Sequence, residues 1–588
     1  MSAVDAATTP AVMRQPITLV VAASCAGTVF EWYDFFIFGS LAAIIAAHFY
    51  SGAGPSQGYV LALLTFAAGF AVRPLGALVF GRFGDRQGRK RAFLITITLM
   101  GLATVGVGLL PDYAAIGIAA PYALVAMRII QGFAIGGEYG GAAVYVAEHA
   151  DRHRRGAATG WIQTAATLGL FLALAVILSC RTVFGEDAFR DWAWRIPFLV
   201  SAGLLAISLW IRMRLDESPL FRHMQEEGAG SRAPLAESFL RWRNLKIVLI
   251  ALFGLLMGQG VVWYTAQFYT QFFLEGLIKV APALVNALIM AATAASAVLH
   301  MFFAWLSDRT GRKPVMLFGL ALAAVSFVPG FQWLAEAANP ALVTAAARAP
   351  VTVIAAPADC SVQFDVIGKS RFASSCDIAK STLAGAGVPY RNAAERPGAP
   401  ARVQIGDVVV PSPNGKGLDA AAFAAVKTKF VARLTSALRR AGYPANADSA
   451  QLNVPLTLGI LLIFITAAAA LYGPQAAALV ELFPTRIRYS ALSFPYHIGV
   501  GWFGGFLPVT AYAIVVATGN IYAGLWYPTV IAATGFFVAL LFLPETKGRD
   551  IACHALSCED QTAGSFSRPK ASGNRRDSGT DRFPSSME

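Results

Sequence analysis

Charge is what this chain has least of. Only 14% of its 588 residues are Asp, Glu, Lys or Arg, where an ordinary soluble domain carries about a quarter, and 56% are hydrophobic. No soluble fold needs so much apolar surface. Cysteine and histidine are scarce as well. The six cysteines, Cys25, Cys180, Cys360, Cys376, Cys553 and Cys558, show no metal-ligand spacing, so neither a metal centre nor a cofactor is expected. Cys25 and Cys180 lie within or at the end of apolar helices and read as structural thiols. There is no nucleophile arrangement and no phosphate-cradling loop placed to catalyse anything, which argues against an enzyme. A net charge of +13 would suggest nucleic acid as the partner of a soluble protein. Here the basic residues sit in short clusters between apolar runs, a mark of membrane topology, so lipid and not nucleic acid is the expected surrounding.

What the chain has is long apolar runs, each able to cross a hydrocarbon core about 30 Å thick. They predict twelve spans, at 17–48, 58–81, 92–110, 120–146, 157–180 and 196–214, then 245–273, 282–304, 314–335, 454–480, 490–517 and 523–543. The first apolar stretch exceeds signal-peptide length and ends in no small-residue cleavage site, so it is expected to be retained. The loops after even-numbered spans hold Arg82, Arg86, Arg89, Lys90 and Arg91, then Arg152, Arg154 and Arg155, then Arg309, Arg312 and Lys313, while the other short loops are nearly bare. The positive-inside rule then puts both termini in the cytoplasm.

The two halves echo each other. GRFGDRQGRK (Gly81 to Lys90) returns as AWLSDRTGRK (Ala304 to Lys313), with Asp308 answering Asp85, and Glu148 precedes Arg155 by seven positions as Glu481 precedes Arg488. Asp85 lies 63 positions before Glu148, but Asp308 lies 173 before Glu481, so about 110 residues are inserted after the ninth span. The expected fold is an all-α polytopic membrane protein of two six-helix pseudo-repeats with a small α+β extracytoplasmic insertion. Its parts are a cytoplasmic N-terminus (1–16), a first bundle (17–214), a cytoplasmic linker (215–244), three helices (245–336), the insertion (337–453), three more helices (454–549) and a tail (550–588) whose low complexity predicts disorder. VTVIAA and ARVQIGDVVV in the insertion read as strands and AAAFAAVKTKFVARLTSALRRAG as a helix. An oxidising exterior permits a Cys360 to Cys376 disulfide, worth about 3 kcal/mol in the chain-entropy model.

The pattern G-x-x-x-D-R-x-G-R-K, repeated in the second half with Ala304 in place of its first glycine, resembles the signature of the major facilitator superfamily. In such a loop Gly88 and Gly311 give backbone freedom, while Asp85 and Asp308 can pair with arginines or a helix N-terminus when the inner mouth is shut. Gate motifs are accordingly expected at Gly81, Asp85, Arg86, Gly88, Arg89 and Lys90, at Asp308, Arg309, Gly311, Arg312 and Lys313, and at Glu148, Arg155, Glu481 and Arg488. GTVFEWYDFFIFG (Gly27 to Gly39) resembles the first helix of the metabolite:proton symporter branch, carriers of shikimate, citrate, α-ketoglutarate, dicarboxylates and proline/betaine. Arg73 with Pro74, RIIQGFAIGGEYGG, ELFPTRIRYS and PETKGRD agree with that resemblance.

Ionisable groups at membrane depth cost roughly 2.5 to 3.5 kcal/mol each on insertion scales, which makes them functional candidates. Glu31, Asp34 and Glu138 are candidates for proton coupling. Arg128, Tyr33, Gln131, Gln259, Tyr264 and Tyr472 are candidates for substrate binding. A static pair of Arg128 with Glu31 or Asp34 is the alternative to a switching one, and His300 and His497 read as structural. The resemblance implies a monomeric secondary transporter of a bacterial inner membrane that moves a small metabolite with protons, first of all a carboxylate-bearing organic acid. Osmolyte uptake, uniport, drug:proton antiport and a transporter-like sensor are the alternatives.

Overall fold

In the absence of water a backbone must satisfy its own N–H and C=O groups, so apolar runs of this length become helices. The computed structural model describes residues 16–51, 55–363 and 372–551; the proposed tail beyond Ile551, with Cys553 and Cys558, and most of the N-terminus lie outside them. The first half comprises α1 (Ile17–Ser40), α2 (Pro55–Gln87), α3 (Arg89–Leu109), α4 (Ala119–His149), α5 (Arg155–Phe184) and α6 (Arg195–Met213). The second begins with α7 (Trp242–Leu277), α8 (Pro282–Thr310) and α9 (Arg312–Ala338). After α9 come α10 (Pro340–Arg348), β1 (Val351–Ala355), α11 (Ser375–Gly385), β2 (Tyr390–Ala394), β3 (Arg402–Ile405), β4 (Val408–Pro411) and α12 (Ala420–Arg440). The chain then completes the bundle with α13 (Val454–Leu482), α14 (Arg488–Thr518) and α15 (Ala523–Phe542).

Eleven of these helices are long and apolar enough to cross a membrane. The twelfth, α2, takes its place by packing. It lies along α4 as α8 lies along α13; likewise α1 packs on α5 as α7 packs on α14, and α3 on α4 and α6 as α9 on α13 and α15. The halves meet symmetrically, α2 against α14 and α5 against α8. This is a twelve-helix fold of two six-helix pseudo-repeats. Close approach at the α2–α4 seam depends on missing side chains: a Cβ on Gly132 would stand 2.0 Å from the Gly69 carbonyl oxygen, and one on Gly136 2.3 Å from that of Arg73.

The first span differs from its expected extent. α1 stops at Ser40 and a separate helix, Ala42–Phe49, follows, because apolarity persists past the point where the helix turns and composition alone does not mark the break. Helices α7 and α14 contain π-helical turns, at Leu252–Leu256, Thr265–Tyr269, Phe273–Leu277 and His497–Gly504. Such turns widen a helix locally and recur at functional sites.

The insertion forms a four-stranded sheet in the order β2-β1-β3-β4. β1 and β2 are parallel across the α11 crossover, and β3 and β4 form an antiparallel hairpin turned by Gly406 at φ +54°. Val351, Val353, Val403 and Ile405 fill its core with Ile378, Leu383, Phe430 and Leu434, and that core is continuous with the second half of the bundle. Cys360 and Cys376 are joined in a disulfide. The two ends of the insertion adjoin, since the Asn453 N–H donates to the Ala337 carbonyl at 2.9 Å.

Candidate functional site

The central cavity lies between the halves. Glu31, Trp32 and Phe35 of α1, Arg73 of α2, Tyr139 of α4 and Gln163 of α5 face Gln259, Trp263 and Tyr264 of α7, Tyr472 of α13, and Tyr496 and His497 of α14. It encloses about 30 Å³, room for a water or two. Tyr139 stacks on Tyr496 across the halves at 3.8 Å, and the Tyr472 and Tyr496 hydroxyls are 3.2 Å apart. Above, toward the insertion, Trp32 meets Trp263 at 5.2 Å and Phe35 meets Phe268 at 5.9 Å. Below, at the linker end, ion pairs join the two halves.

Glu31 and Arg73 are the two charges that face this cavity, and among the described residues neither has an ion pair within 4 Å. The Arg73 guanidinium rests on the Phe70 ring at 4.1 Å, with its Nε unpartnered. Gln259 is buried with its side-chain oxygen unpartnered. Polar groups left open toward a cavity are where a ligand's hydrogen bonds go.

Asp34 is three residues from Glu31 but occupies different surroundings. Its carboxylate accepts from Arg128 Nη1 at 3.1 Å and from Gln131 Nε2 at 3.0 Å, with Thr104 behind Gln131 at 2.8 Å and the Phe38 ring 3.5 Å from the Arg128 guanidinium carbon. This buried cluster adjoins the cavity through Arg73, which borders both. Of the expected residues, Glu31, Gln259, Tyr264 and Tyr472 line the cavity, Asp34, Arg128 and Gln131 form the adjoining cluster, and two reach neither. Tyr33 turns away and donates to the Pro197 carbonyl at 2.6 Å, because one residue's rotation about α1 carries it to the α6 side. Glu138 pairs with Arg212 at the end of α6 and accepts from Thr96 at 3.0 Å.

At the linker end the sequence echo becomes a pair of matching clasps. Asp85 accepts from Arg89 at 2.7 Å and from the Tyr489 and Ser490 N–H groups at 3.1 and 2.9 Å, the open N-terminus of α14. Asp308 accepts from Arg312 at 2.6 Å and from the Gly156 and Ala157 N–H groups at 2.9 and 2.7 Å, the N-terminus of α5. Each aspartate thus meets the positive end of a helix dipole in the other half. Glu148 binds Arg488 at 2.8 Å, and Glu481 binds Arg155 at 2.8 Å and Arg312 at 3.2 Å. Gly88 and Gly311 turn the loops at φ +114° and +111°, and Gly81 sits directly against Ser490. Arg86 is exposed, Arg309 lies over Trp305 at 4.1 Å, and Lys90 and Lys313 donate to the Met213 and Leu540 carbonyls at 3.2 and 2.8 Å.

Sequence reading missed a further matching pair. Glu217 accepts from the Arg89 N–H at 3.0 Å, and Glu545 from the Arg312 and Lys313 N–H groups at 2.9 and 3.1 Å. The signal was present, DES at 216–218 against PET at 544–546 after the last helix of each half. Outside the membrane-spanning segments, burial pushes the Glu217 carboxyl above its usual range, opposed by the N–H groups it accepts.

Two six-helix halves, a cavity between them and clasps that cross the halves define a transporter of the major facilitator superfamily. The chain belongs to the family described as sugar (and other) transporter, which matches residues 19–238 and 435–553, and within it to the metabolite:proton symporter branch. It is 37% identical over 316 residues to the shikimate transporter of Escherichia coli (strain K12), covering 53% of this chain and 71% of that one. To the proline/betaine transporter of the same organism it is 35% identical over 329 residues, covering 54% and 64%. To the alpha-ketoglutarate permease, again of that organism, it is 32% identical over 337 residues, covering 57% and 76%. Among solved structures, the proton:xylose symporter XylE bound to 6-bromo-6-deoxy-D-glucose aligns with a TM-score of 0.58 at 16% identity, over 91% of this chain and 98% of that one. That likeness is one of fold.

Proposed function

We propose that the protein takes up a small carboxylate-bearing metabolite together with protons, by alternating access across a bacterial inner membrane. The linker end and both termini are then cytoplasmic, as the basic loops require, and the insertion is outside. The observation that carries this reading is the presence in one cavity of a guanidinium and a carboxylate, Arg73 and Glu31, neither of them in an ion pair. A guanidinium binds a carboxylate bidentately. Glu31 beside it takes a proton when an anion enters, because two negative charges in a low-dielectric cavity repel. The shikimate and alpha-ketoglutarate relatives agree with an acid substrate. In this reading Arg128, already held by Asp34, is the fixed charge behind Arg73, and the matching clasps are the cytoplasmic closure.

A second reading rests on the rings. Trp32, Trp263, Tyr264 and Tyr472 surround Glu31, a setting that also suits a quaternary ammonium through cation–π contact, and a proline/betaine transporter is among the relatives. Uptake into proteoliposomes under an imposed pH gradient separates the two. A dicarboxylic or hydroxy acid should accumulate and its amide should not; accumulation of glycine betaine in preference to every acid would favour the zwitterion. Uptake of neither, with the protein folded, overturns both.

A further inference from the structure

The disulfide lies in the insertion, apart from the residues that line the central cavity. It joins the segment that leaves β1 to the second residue of α11, within a β-α-β unit. The two sulfurs are inequivalent. Cys376 is fully buried, while Cys360 is half-buried, so an incoming thiolate reaches Cys360. The departing sulfur is then Cys376, in the first turn of α11, where the helix N-terminus favours a thiolate and speeds its departure. The neighbouring Asp377 carboxylate is committed elsewhere, accepting from the Ser361 N–H at 2.8 Å and the Ser361 hydroxyl at 2.9 Å.

The other end of α11 rests on the transport helices. Lys279, just past the last π-helical turn of α7 and held at φ +65°, donates from Nζ to the Gly385 carbonyl at 2.6 Å. Gly387 lies so close to α7 that a Cβ there would stand 1.8 Å from the Leu277 carbonyl oxygen. β2 holds α14 in turn: the Tyr390 N–H donates to the Gly519 carbonyl at 2.9 Å, and the Asn392 amide to the Ala517 and Thr518 carbonyls at 3.2 and 3.0 Å. The insertion therefore bridges the ends of the two helices that carry π-helical turns and line the cavity with Gln259, Trp263 and His497.

We propose that Cys360–Cys376 is a thiol–disulfide exchange site whose state sets how firmly the insertion holds the ends of α7 and α14 together. A dithiol of the exterior, small or protein-borne, attacks Cys360 Sγ as its thiolate. The Cys360–Cys376 bond breaks, a mixed disulfide forms on Cys360, and Cys376 leaves as a thiolate that takes up a proton. The second thiol of the reductant then attacks its own sulfur in the mixed disulfide, releasing Cys360. The reductant ends as a disulfide and the insertion as two thiols, a transfer of two electrons and two protons. Reduced, the first turn of α11 loses its covalent tie and keeps only hydrogen bonds, from Ser361 and Gln363 to Asp377 and between Ser375 and both Ala401 and Ser412, and its grip on Lys279 and Leu277 loosens.

The test uses the full chain in proteoliposomes, with Cys25, Cys180, Cys553 and Cys558 replaced by serine. Dithiothreitol should expose two thiols per chain to an impermeant maleimide without unfolding, and reoxidation should remove them. Counterflow of whichever metabolite the protein accepts should change about 2- to 30-fold on reduction, the range of coupling through packed networks, and return on reoxidation. Cys360→Ser with Cys376→Ser should sit at the reduced rate and ignore dithiothreitol. Cys376→Ser, which leaves Cys360 free, should react with 5,5′-dithiobis(2-nitrobenzoate) at least about tenfold faster than Cys360→Ser, as exposure controls reactivity. Lys279→Met should keep the thiol count and blunt the change in counterflow. A cystine reduced only on unfolding would make the bridge a static staple and overturn the exchange site; ready reduction with unchanged counterflow would overturn the transmission. The thiol counts do not depend on which metabolite is carried, so failure here is separable from failure of the proposed transport.

Discussion

Glu148 and Arg488 belong to different halves of the molecule, yet they are bound at 2.8 Å with both side chains fully buried. Their counterparts Glu481 and Arg155 are bound at the same distance. The repeated glutamate-to-arginine spacing in each half thus produces pairs between halves at the linker end, and in the proposed alternating-access cycle they part when that end opens. Each clasp is then a term in the balance between closed and open states.

Removing one partner from such a buried pair costs about 3–5 kcal/mol in the state that contains it. Glu148→Gln should therefore shift the protein toward the state open to the linker side. A cysteine placed on the cytoplasmic face of α5, inert in the parent, should become alkylated in the variant. The double exchange Glu148→Arg with Arg488→Glu should restore part of the protection. Unchanged labelling in Glu148→Gln would show that the pair does not hold the closure.

The α2–α4 seam gives a second expectation. Gly136→Ala would push a methyl carbon to 2.3 Å from the Arg73 carbonyl oxygen, and backbone cannot swing aside as a side chain can. Overpacking costs typically about 1–3 kcal/mol, and here the displaced residue is Arg73. Transport should be lost, with a fall in melting temperature. Gly39→Ala, with nothing within 4 Å of its added carbon, is the control and should be silent. Equal behaviour of the two variants would contradict the close approach.

Span number, the pseudo-repeat and the insertion were legible because they depend on apolar length and on local motifs, which a chain carries in linear order. The facing of side chains was not. Three residues along a helix rotate the chain by about 300°, so Glu31 and Asp34 differ by only about 60° in direction. In a packed bundle that angle separates a cavity wall from the α1–α4 seam. Tyr33 between them points to α6. Arg73 was noticed as part of a motif and not as a cavity charge, since nothing in sequence says which wall of α2 faces inward. Glu217 and Glu545 escaped notice because their partners are backbone N–H groups, which leave no trace in side-chain chemistry.

The two carboxylates of α1 should fail differently. Asp34→Asn leaves Arg128 without its anionic partner in a buried site, a loss of about 3–5 kcal/mol, so the variant should melt earlier and yield little folded protein. Glu31→Gln breaks no ion pair and should fold as the parent does. It should lose uphill uptake driven by a pH gradient while retaining counterflow, since a neutral amide cannot carry the proton. Differential scanning fluorimetry beside the two transport assays decides the matter. Intact gradient-driven uptake in Glu31→Gln would remove that residue from coupling.

The insertion should be separable from transport. Because the Asn453 N–H already reaches the Ala337 carbonyl at 2.9 Å, residues 340–452 can be replaced by a short glycine–serine turn without parting α9 from α13. The shortened protein should reach the membrane, fold and show counterflow. Melting should fall, since the contacts with Leu277, Lys279 and Gly519 are lost. Failure to fold with several turn lengths would show that the insertion's apolar core, continuous with the second half, is needed to complete the bundle.

Arg73 and Arg128 offer the decisive comparison for substrate charge. Both are on the first half, and both border the small gap beside Asp34, but only Arg73 also faces the central cavity. Hydrogen bonds to charged groups are worth roughly 1.5–3 kcal/mol, so loss of the planar fork in Arg73→Lys should raise KM for an acid about 10- to 100-fold. The uncharged amide of that acid, a poor substrate of the parent, should be affected little. Arg128→Lys keeps the charge opposite Asp34 and should leave KM for the acid within a few-fold of the parent while lowering the melting temperature through the lost geometry. If instead Arg128→Lys abolishes discrimination between acid and amide and Arg73→Lys does not, the anion is held in the Asp34 cluster. Substrate entry would then have to break the Asp34–Arg128 pair, and protonation of Asp34 rather than Glu31 would be the coupling step.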